Sequence, residues 1–397
     1  MRAVKRVWLV LIVVALLMAG CQQAEPTGAP EEPAVEEPAE VPATEEPSDE
    51  EPATEEPADE EPAAEEPVQV TIAHGGSVIG VDHPGQYIPL ALGWYEEEGL
   101  DVTLIPAGGS NQALQLLIAG EADIIQIATD VLPLGRQEGV DLVSFYVPVT
   151  RSNARIGVPA DSEYEDITDL VGATIGVPAA ASSHVDHVRA LAGQAGIDAD
   201  TEMTMVPTGF NPAEAGQALR SNNVDALAYW SGFFASLEVE GFEFRYFVWE
   251  PLLQAPGHVV VATREYIEQN PEVVARVARS MARAAVYAFA NPEAAVRAYW
   301  AAFPESRPSG DEEAALQAEV HRLNTQLMDM TVEGREDTRW GWNDPAGWQI
   351  QLDFMLDAGV LEEAMSAQEV YTNEFIDEAN DFDAAEVEAL AAEGFEQ

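Results

Sequence analysis

The residue types that could do chemistry in this 397-residue chain are few. Lys5 is the one lysine and Cys21 the one cysteine, which excludes a disulfide framework and a cysteine-built metal site. No G-x-S-x-G elbow, P-loop or H-E-x-x-H stretch is present, so the common hydrolase, phosphate and zincin signatures are missing. His184 and His187 flank Asp186 at a helix start, a spacing at which two imidazoles share a face and could hold a metal. No further His, Asp or Glu cluster completes a closed site, so the expectation is a solvated helix face and no metal. Gly108-Gly109-Ser110-Asn111 and Ser182-Ser183 each open a helix, offering free N–H groups and hydroxyls to an anion or polar group; the same residues would cap those helices without any ligand. Thr129 and Asp130 end a buried apolar strand on the side where a cleft would lie.

The elements that must position these residues alternate in type. Val68–Ala73 has strand alternation and runs into the loop "HGGSVIG". Tyr87–Glu97 has helical spacing up to Gly99, Asp101–Ile105 is a second strand, and Ser110 is placed to cap a helix through Ala119. Asp123–Ala128 and Leu142–Val147 are further strands. A second set follows Arg155, with strands at Thr174–Val177, Glu202–Val206 and Asp225–Trp230 and a helix over Pro212–Arg220. "FEFRYFVW" and "HVVVATREY" come next, and Pro271–Gln397 is nearly all helical, with Asn-Pro starts at Asn270-Pro271 and Asn291-Pro292. Repeated βα units predict mostly parallel sheets covered by helices. Two such lobes with a helical tail predict a clamp around a ligand at the C-terminal strand ends.

The start of the chain carries a different message. Arg2, Lys5 and Arg6 precede the apolar run Val7–Ala19, then Gly20 and Cys21. A basic start, a short apolar core and small residues before a cut describe a secretory signal, too short to span a bilayer as a mature helix. The "LLMAGC" ending resembles a lipoprotein signal box, in which Cys21 becomes the lipidated first residue. From Glu45 a Glu-Glu-Pro unit recurs every five residues to Pro67, and residues 22–67 contain no Lys or Arg. Such a segment buries too little to offset its ordering entropy and reads as an extended stalk. The formal net charge of −53 repels nucleic acid and anionic lipid. An acidic, lysine-poor surface also suits high salt or reflects base composition, and speaks to habitat more than activity.

Specific stretches carry a resemblance. "GQYIPLALGWYEEEGLDVTLIPAGGSNQALQLLIAGEADI" and "REYIEQNPEVVARVARSMARAAVYAFANPEAAV" are similar to the SsuA/THI5-like (NMT1-like) solute-binding proteins of ABC importers. "RWGWNDPAGWQIQLDFMLDAGVL" with "YTNEF" resembles the branch that binds thiamine pyrimidine precursors. The resemblance implies an α/β chain of the type II periplasmic-binding fold, two lobes with a hinge. Mapped here, a signal covers 1–20, an anchored stalk 21–67, lobe one 68–155 and 258–397, and lobe two 156–257. It implies a small-molecule ligand, an ABC permease and its ATPase as partners, a membrane anchor through Cys21, an extracytoplasmic location and a monomer. It implies neither a cofactor nor a partner nucleic acid.

The same resemblance directs attention to two phrases. After the first strand, "GGSVIGVDHPG" keeps His83 and Gly85 of the branch pattern but has Gly76 and Ser77 for an acid and a tryptophan. In lobe two, "WSGFFA" has Ser231 and Phe234 where the branch has acids, while Tyr229, Trp230 and Phe233 remain aromatic. Lost acids with kept aromatics favour a flat ligand held by stacking: a pyrimidine precursor, or riboflavin, which a related branch binds, with sulfonate- or nitrate-type anions as a further alternative. The expected ligand contacts are Ser77, His83, Ser110, Asn111, Asp130, Ser182, Ser183, Tyr229, Trp230 and Phe233. The fold family also contains an enzyme that builds the pyrimidine from pyridoxal phosphate; that chemistry needs a Schiff-base lysine, absent after Lys5, so no catalysis is expected. Trp340, Trp342 and Trp348 in "TRWGWNDPAGW" read as lobe packing rather than a stacking platform.

Overall fold

The computed structural model describes residues 66–395; the predicted signal, Cys21 and almost all of the acidic repeat lie outside the described residues. Among the described residues there are ten strands: β1 (Val68–His74), β2 (Leu100–Pro106), β3 (Ile124–Ala128), β4 (Leu142–Val149), β5 (Ala154–Pro159), β6 (Thr174–Val177), β7 (Thr204–Pro207), β8 (Ala226–Trp230), β9 (Phe244–Phe247) and β10 (His258–Thr263). They form two five-stranded sheets, ordered β2-β1-β3-β10-β4 and β7-β6-β8-β5-β9. Each sheet is mixed, with two parallel and two antiparallel pairs, because each has one reversed strand. β10 runs antiparallel to β3 and β4, and β5 antiparallel to β8 and β9. Both reversed strands follow a crossing between the sheets, 150–153 and 248–257. A chain arriving from the other lobe enters its new sheet from the opposite end, which accounts for the reversals.

β4 is buried at all eight positions, as expected for a strand covered on both faces; its one polar residue, Ser144, is hydrogen-bonded to Asn343. Helices cover both sheets. The 20-residue helix Pro271–Ala290 lies against Pro84–Ala91 and Ala384–Glu393, burying thirteen of its residues. Two local expectations shift. The helix expected over Tyr87–Glu97 is broken at Gly93, whose φ of 72° is left-handed, into Pro84–Ala91 and Trp94–Glu97, a conformation glycine adopts without a Cβ penalty. Ser110 is the first residue of its helix rather than its cap, and Gly109 holds the cap position. The Ser110 hydroxyl instead accepts a hydrogen bond from the Ala128 N–H at 3.2 Å, tying the helix to the end of β3.

The tryptophan-rich stretch is lobe packing. Trp348 is fully buried and its Nε1 donates to Asn343 Oδ1 at 3.0 Å, an oxygen that also accepts from Ser144 Oγ at 2.7 Å. Gly341, at a left-handed φ of 86°, lies flat on the Tyr146 ring, where a side chain would overlap it; its carbonyl accepts from Val147 N–H at 2.9 Å. Trp340 packs beside Phe289, and the Arg339 guanidinium covers Trp342.

Candidate ligand chamber

Between the lobes lies a partly enclosed chamber. Lobe one supplies His74 from the end of β1, the following loop with Asp82 and His83, Ser110, and His258 from the start of β10; Arg322 comes from helix Glu312–Met330, which packs against both Ser231–Val239 and Pro292–Ala302. Lobe two supplies Ser182, Ser183 and His184 at the head of helix Ser183–Gln194, Phe210, and Trp230 at the end of β8. Loops after parallel strands converge here because those strands all end on this side. The cavity itself is small, about 40 Å³, and the lobes meet around it. Asn111 Nδ2 donates across the gap to Asp186 Oδ2 at 3.1 Å, and Gly109 rests against the Ala181 backbone.

Its electrostatics are those of a neutral polar box. Trp230 Nε1 donates across the cleft to Asp82 Oδ2, and Arg322 Nη2 donates to Asp82 Oδ1 at 2.9 Å. Burial works to raise the Asp82 carboxyl, but Arg322 and His83 overcome it and hold Asp82 down to about 2. It is therefore ionised and balances the Arg322 charge. Burial, then the neighbouring imidazoles, depresses His184 and His258 each to about 3. His74 is pushed well down by burial and His83, and burial lowers His83 despite Asp82 4.0 Å away. At neutral pH these rings are uncharged, each with one N–H donor and one acceptor. His74 and His83 meet edge to face with centroids 4.3 Å apart, and His83 and His258 stack at 5.5 Å.

The predicted site residues separate into groups. His83, Ser110, Ser182, Ser183 and Trp230 line the chamber. Ser182 also caps its helix, accepting from the His184 N–H at 3.3 Å. Asn111 is drawn off to its clasp with Asp186, and Ser77 is exposed outside the lining while its neighbours Gly76 and Val78 take part. Tyr229 and Phe233 are fully buried; they stack at 3.8 Å, and the Tyr229 hydroxyl is tied to the Gly209 carbonyl and Thr208. Strand alternation sends Tyr229 inward, so both rings back Trp230 rather than face the chamber. Asp130 lines an adjoining compartment. The helix face of His184, Asp186 and His187 is not solvated: these residues are 7, 8 and 7% exposed, because the helix turns them into the interlobe seam. Among the described residues, no three His, Cys, Asp or Glu side chains stand in a metal-holding arrangement. None of the three clustered tryptophans lines the chamber.

His74, Asp82, Phe210, His258 and Arg322 were not anticipated. Five of the six histidines in the chain border this region: His74 and His258 at strand ends, His83 in the loop before helix Pro84–Ala91, and His184 and His187 in the first turns of helix Ser183–Gln194. Arg322 lies 240 residues beyond Asp82 and has no local sign.

Two α/β lobes, linked by two crossings and closed on a buried polar and aromatic chamber, define the type II periplasmic-binding class. The NMT1/THI5-like family model matches residues 81–295, and the chain belongs to that family. It is 25% identical over 312 residues to the riboflavin-binding protein RibY of Chloroflexus aurantiacus, covering 78% of this chain and 86% of that protein. It is 22% identical over 298 residues to the formylaminopyrimidine-binding protein of Halalkalibacterium halodurans, covering 73% and 86%. Among solved structures, the periplasmic aliphatic sulphonate-binding protein SsuA of Escherichia coli superposes with a TM-score of 0.56 at 20% identity, over 78% of this chain and 99% of that one.

Proposed function

We propose that this chain is the solute-binding component of an ABC-type importer and that it captures a small, uncharged heteroaromatic solute between its lobes. One observation carries this reading: Trp230 and Phe210 wall a buried chamber whose polar lining has no net charge, because Asp82 cancels Arg322 and burial keeps the imidazoles neutral. A sulfonate or nitrate finds no net positive charge in this lining, only the neutral donors of the helix heads at Ser110 and Ser183. A heteroaromatic ring needs stacking faces and a rim of mixed donors and acceptors, which neutral imidazoles, hydroxyls and an ionised carboxylate supply. The relatives named for riboflavin and for formylaminopyrimidine support the same ligand chemistry. Ser110, Ser182, Ser183, His83 and Trp230 are the contacts this reading keeps from the sequence, with His74, Asp82, Phe210 and His258 added. The basic and apolar start, Cys21 and the Glu-Pro repeat support a receptor tethered outside the cytoplasm by a lipid, presenting its ligand to a permease.

A melting-shift screen tests the proposal. A ligand that binds only the folded state at 100 times its Kd adds about 2.7 kcal/mol, a shift of several degrees. Riboflavin, hydroxymethylpyrimidine and formylaminopyrimidine should include a stabilising ligand. Stabilisation by an alkanesulfonate, nitrate or bicarbonate alone would overturn the reading.

A further inference from the structure

A second compartment of about 30 Å³ adjoins the chamber at the hinge, with Ser183, His184 and His258 lining both. Its own walls are Thr129, Asp130, Asn153, His187 and Gln351, together with backbone of both interlobe crossings at Ser152 and at Pro256-Gly257. Four of the side chains lining it, Asp130, His184, His187 and His258, have unspent polar atoms. Nε2 of His187, in a residue 7% exposed, and Oδ1 of Asp130 are buried without a hydrogen-bond partner, and so is Nε2 of the shared His184. Buried polar groups are nearly always paired, so unpaired atoms around one cavity mark groups awaiting a partner. We infer that this hinge compartment receives a polar tail of the ligand, two or three hydroxyl or amide groups attached to the ring held in the chamber.

The size sets the number: a water-sized group needs roughly 10–15 Å³, so about 30 Å³ leaves room for two or three such groups. The charge state sets the kind. Burial and the nearby Asp186 push the Asp130 carboxyl well up, towards its neutral form, and burial, with Arg155, lowers His187 to about 4. A neutral carboxyl, neutral imidazole, hydroxyl and amides suit an uncharged tail with both donors and acceptors, and give neither a cation nor an anion its counter-charge. Because the walls include both crossings, a tail seated there ties occupancy to the hinge that closes the lobes.

The inference rests on the chamber being the ligand site, and the test separates the two. Binding to the full chain is measured by calorimetry for each ring with and without its tail: riboflavin against lumiflavin, and formylaminopyrimidine against 4-amino-2,5-dimethylpyrimidine. Two or three hydrogen bonds of ordinary net strength predict a tailed-to-untailed preference of about 30-fold for the ring type that binds. His187→Leu and, as a second variant, Asp130→Leu should each cut that preference below about 5-fold, with folding checked by unliganded melting. A wild-type preference below about 3-fold, or one that both folded variants keep, overturns the tail compartment while leaving the chamber intact. Failure of every ring to bind overturns both.

Discussion

Gly109→Ala probes lobe closure with a single methyl group. Gly109 stands in lobe one, before helix Ser110–Ile118, with φ 155° and ψ 156°, and faces lobe two. A Cβ there would lie 2.5 Å from the Ala181 carbonyl oxygen and 3.0 Å from its carbon. Both partners are backbone, so neither can swing aside. An ordinary 3.4 Å contact requires the lobes to stop about 0.9 Å short, which the cross-cleft bonds Trp230–Asp82 and Asn111–Asp186 cannot span. Hydrogen bonds to charged groups contribute about 1.5–3 kcal/mol each, so losing them removes roughly 3 kcal/mol or more from the closed state. At 1.4 kcal/mol per decade, ligand affinity falls about 100-fold. The unfavourable φ adds about 1–3 kcal/mol of general strain, which weighs on open and closed forms alike and is read separately by urea unfolding. Calorimetric titration with the best ligand from the melting screen gives the affinity, and small-angle scattering gives compaction on saturation. A variant that binds within about 3-fold of wild type and compacts normally would refute the closure argument.

Other substitutions follow from the same geometry. Asp82→Ala leaves Arg322 buried without its main partner and Trp230 Nε1 unpaired; losing one member of a buried pair costs about 3–5 kcal/mol, measurable as a fall in urea-unfolding free energy, and ligand binding should be lost with it. Asn343→Ala removes the partner shared by Trp348 and Ser144 and should cost about 2–4 kcal/mol while leaving affinity within about 3-fold; a large affinity loss with intact stability would place the tryptophan stretch in the binding site. The pH profile isolates one histidine. The folded pKa of His258, about 3, lies below the unfolded value of about 6.5, so the unfolded chain binds the extra proton between them. Its contribution to stability is complete above about pH 6.5 and lost as pH falls towards 3. The raised carboxyls of Asp130 and Glu319 act in the opposite sense, so the informative quantity is a difference. The stability gap between wild type and His258→Gln should narrow by about 1 kcal/mol per pH unit between pH 6 and 4; a constant gap would show that His258 titrates normally.

The fold was legible because its evidence is local. Period-two strands, glycine stops and Asn-Pro starts are each read within about ten residues, and the strands fell close to their expected places. The strand expected from Glu202 is shorter because Ala199–Glu202 forms a turn of helix behind the Asp198 cap. The chamber was only half legible. Ser110, Ser182 and Ser183 reach the chamber lining because helix heads converge on strand ends, and Trp230, expected from the aromatics kept in "WSGFFA", lines it from the end of β8. Tyr229 and Phe233 misled because residue type does not say which face of β8, or of the adjacent helix, a ring takes, and the apolar helix Ser231–Val239 gave both a core to enter. His184 and His187 were assigned to solvent because a helix face looks solvated until the second lobe closes on it. The Asp82–Arg322 pair joins residues brought together only by the tertiary fold.

The central claim is that the interlobe chamber holds one uncharged heteroaromatic ring against Trp230. Equilibrium dialysis of the purified full chain against the heterocycle that shifts the melt most, repeated with Trp230→Ala, tests it most directly. One molecule bound per wild-type chain, and a loss of at least 30-fold in affinity for a Trp230→Ala chain that still folds, is the predicted result. Saturable binding of an alkanesulfonate with no heterocycle bound, or wild-type affinity in Trp230→Ala, would contradict it.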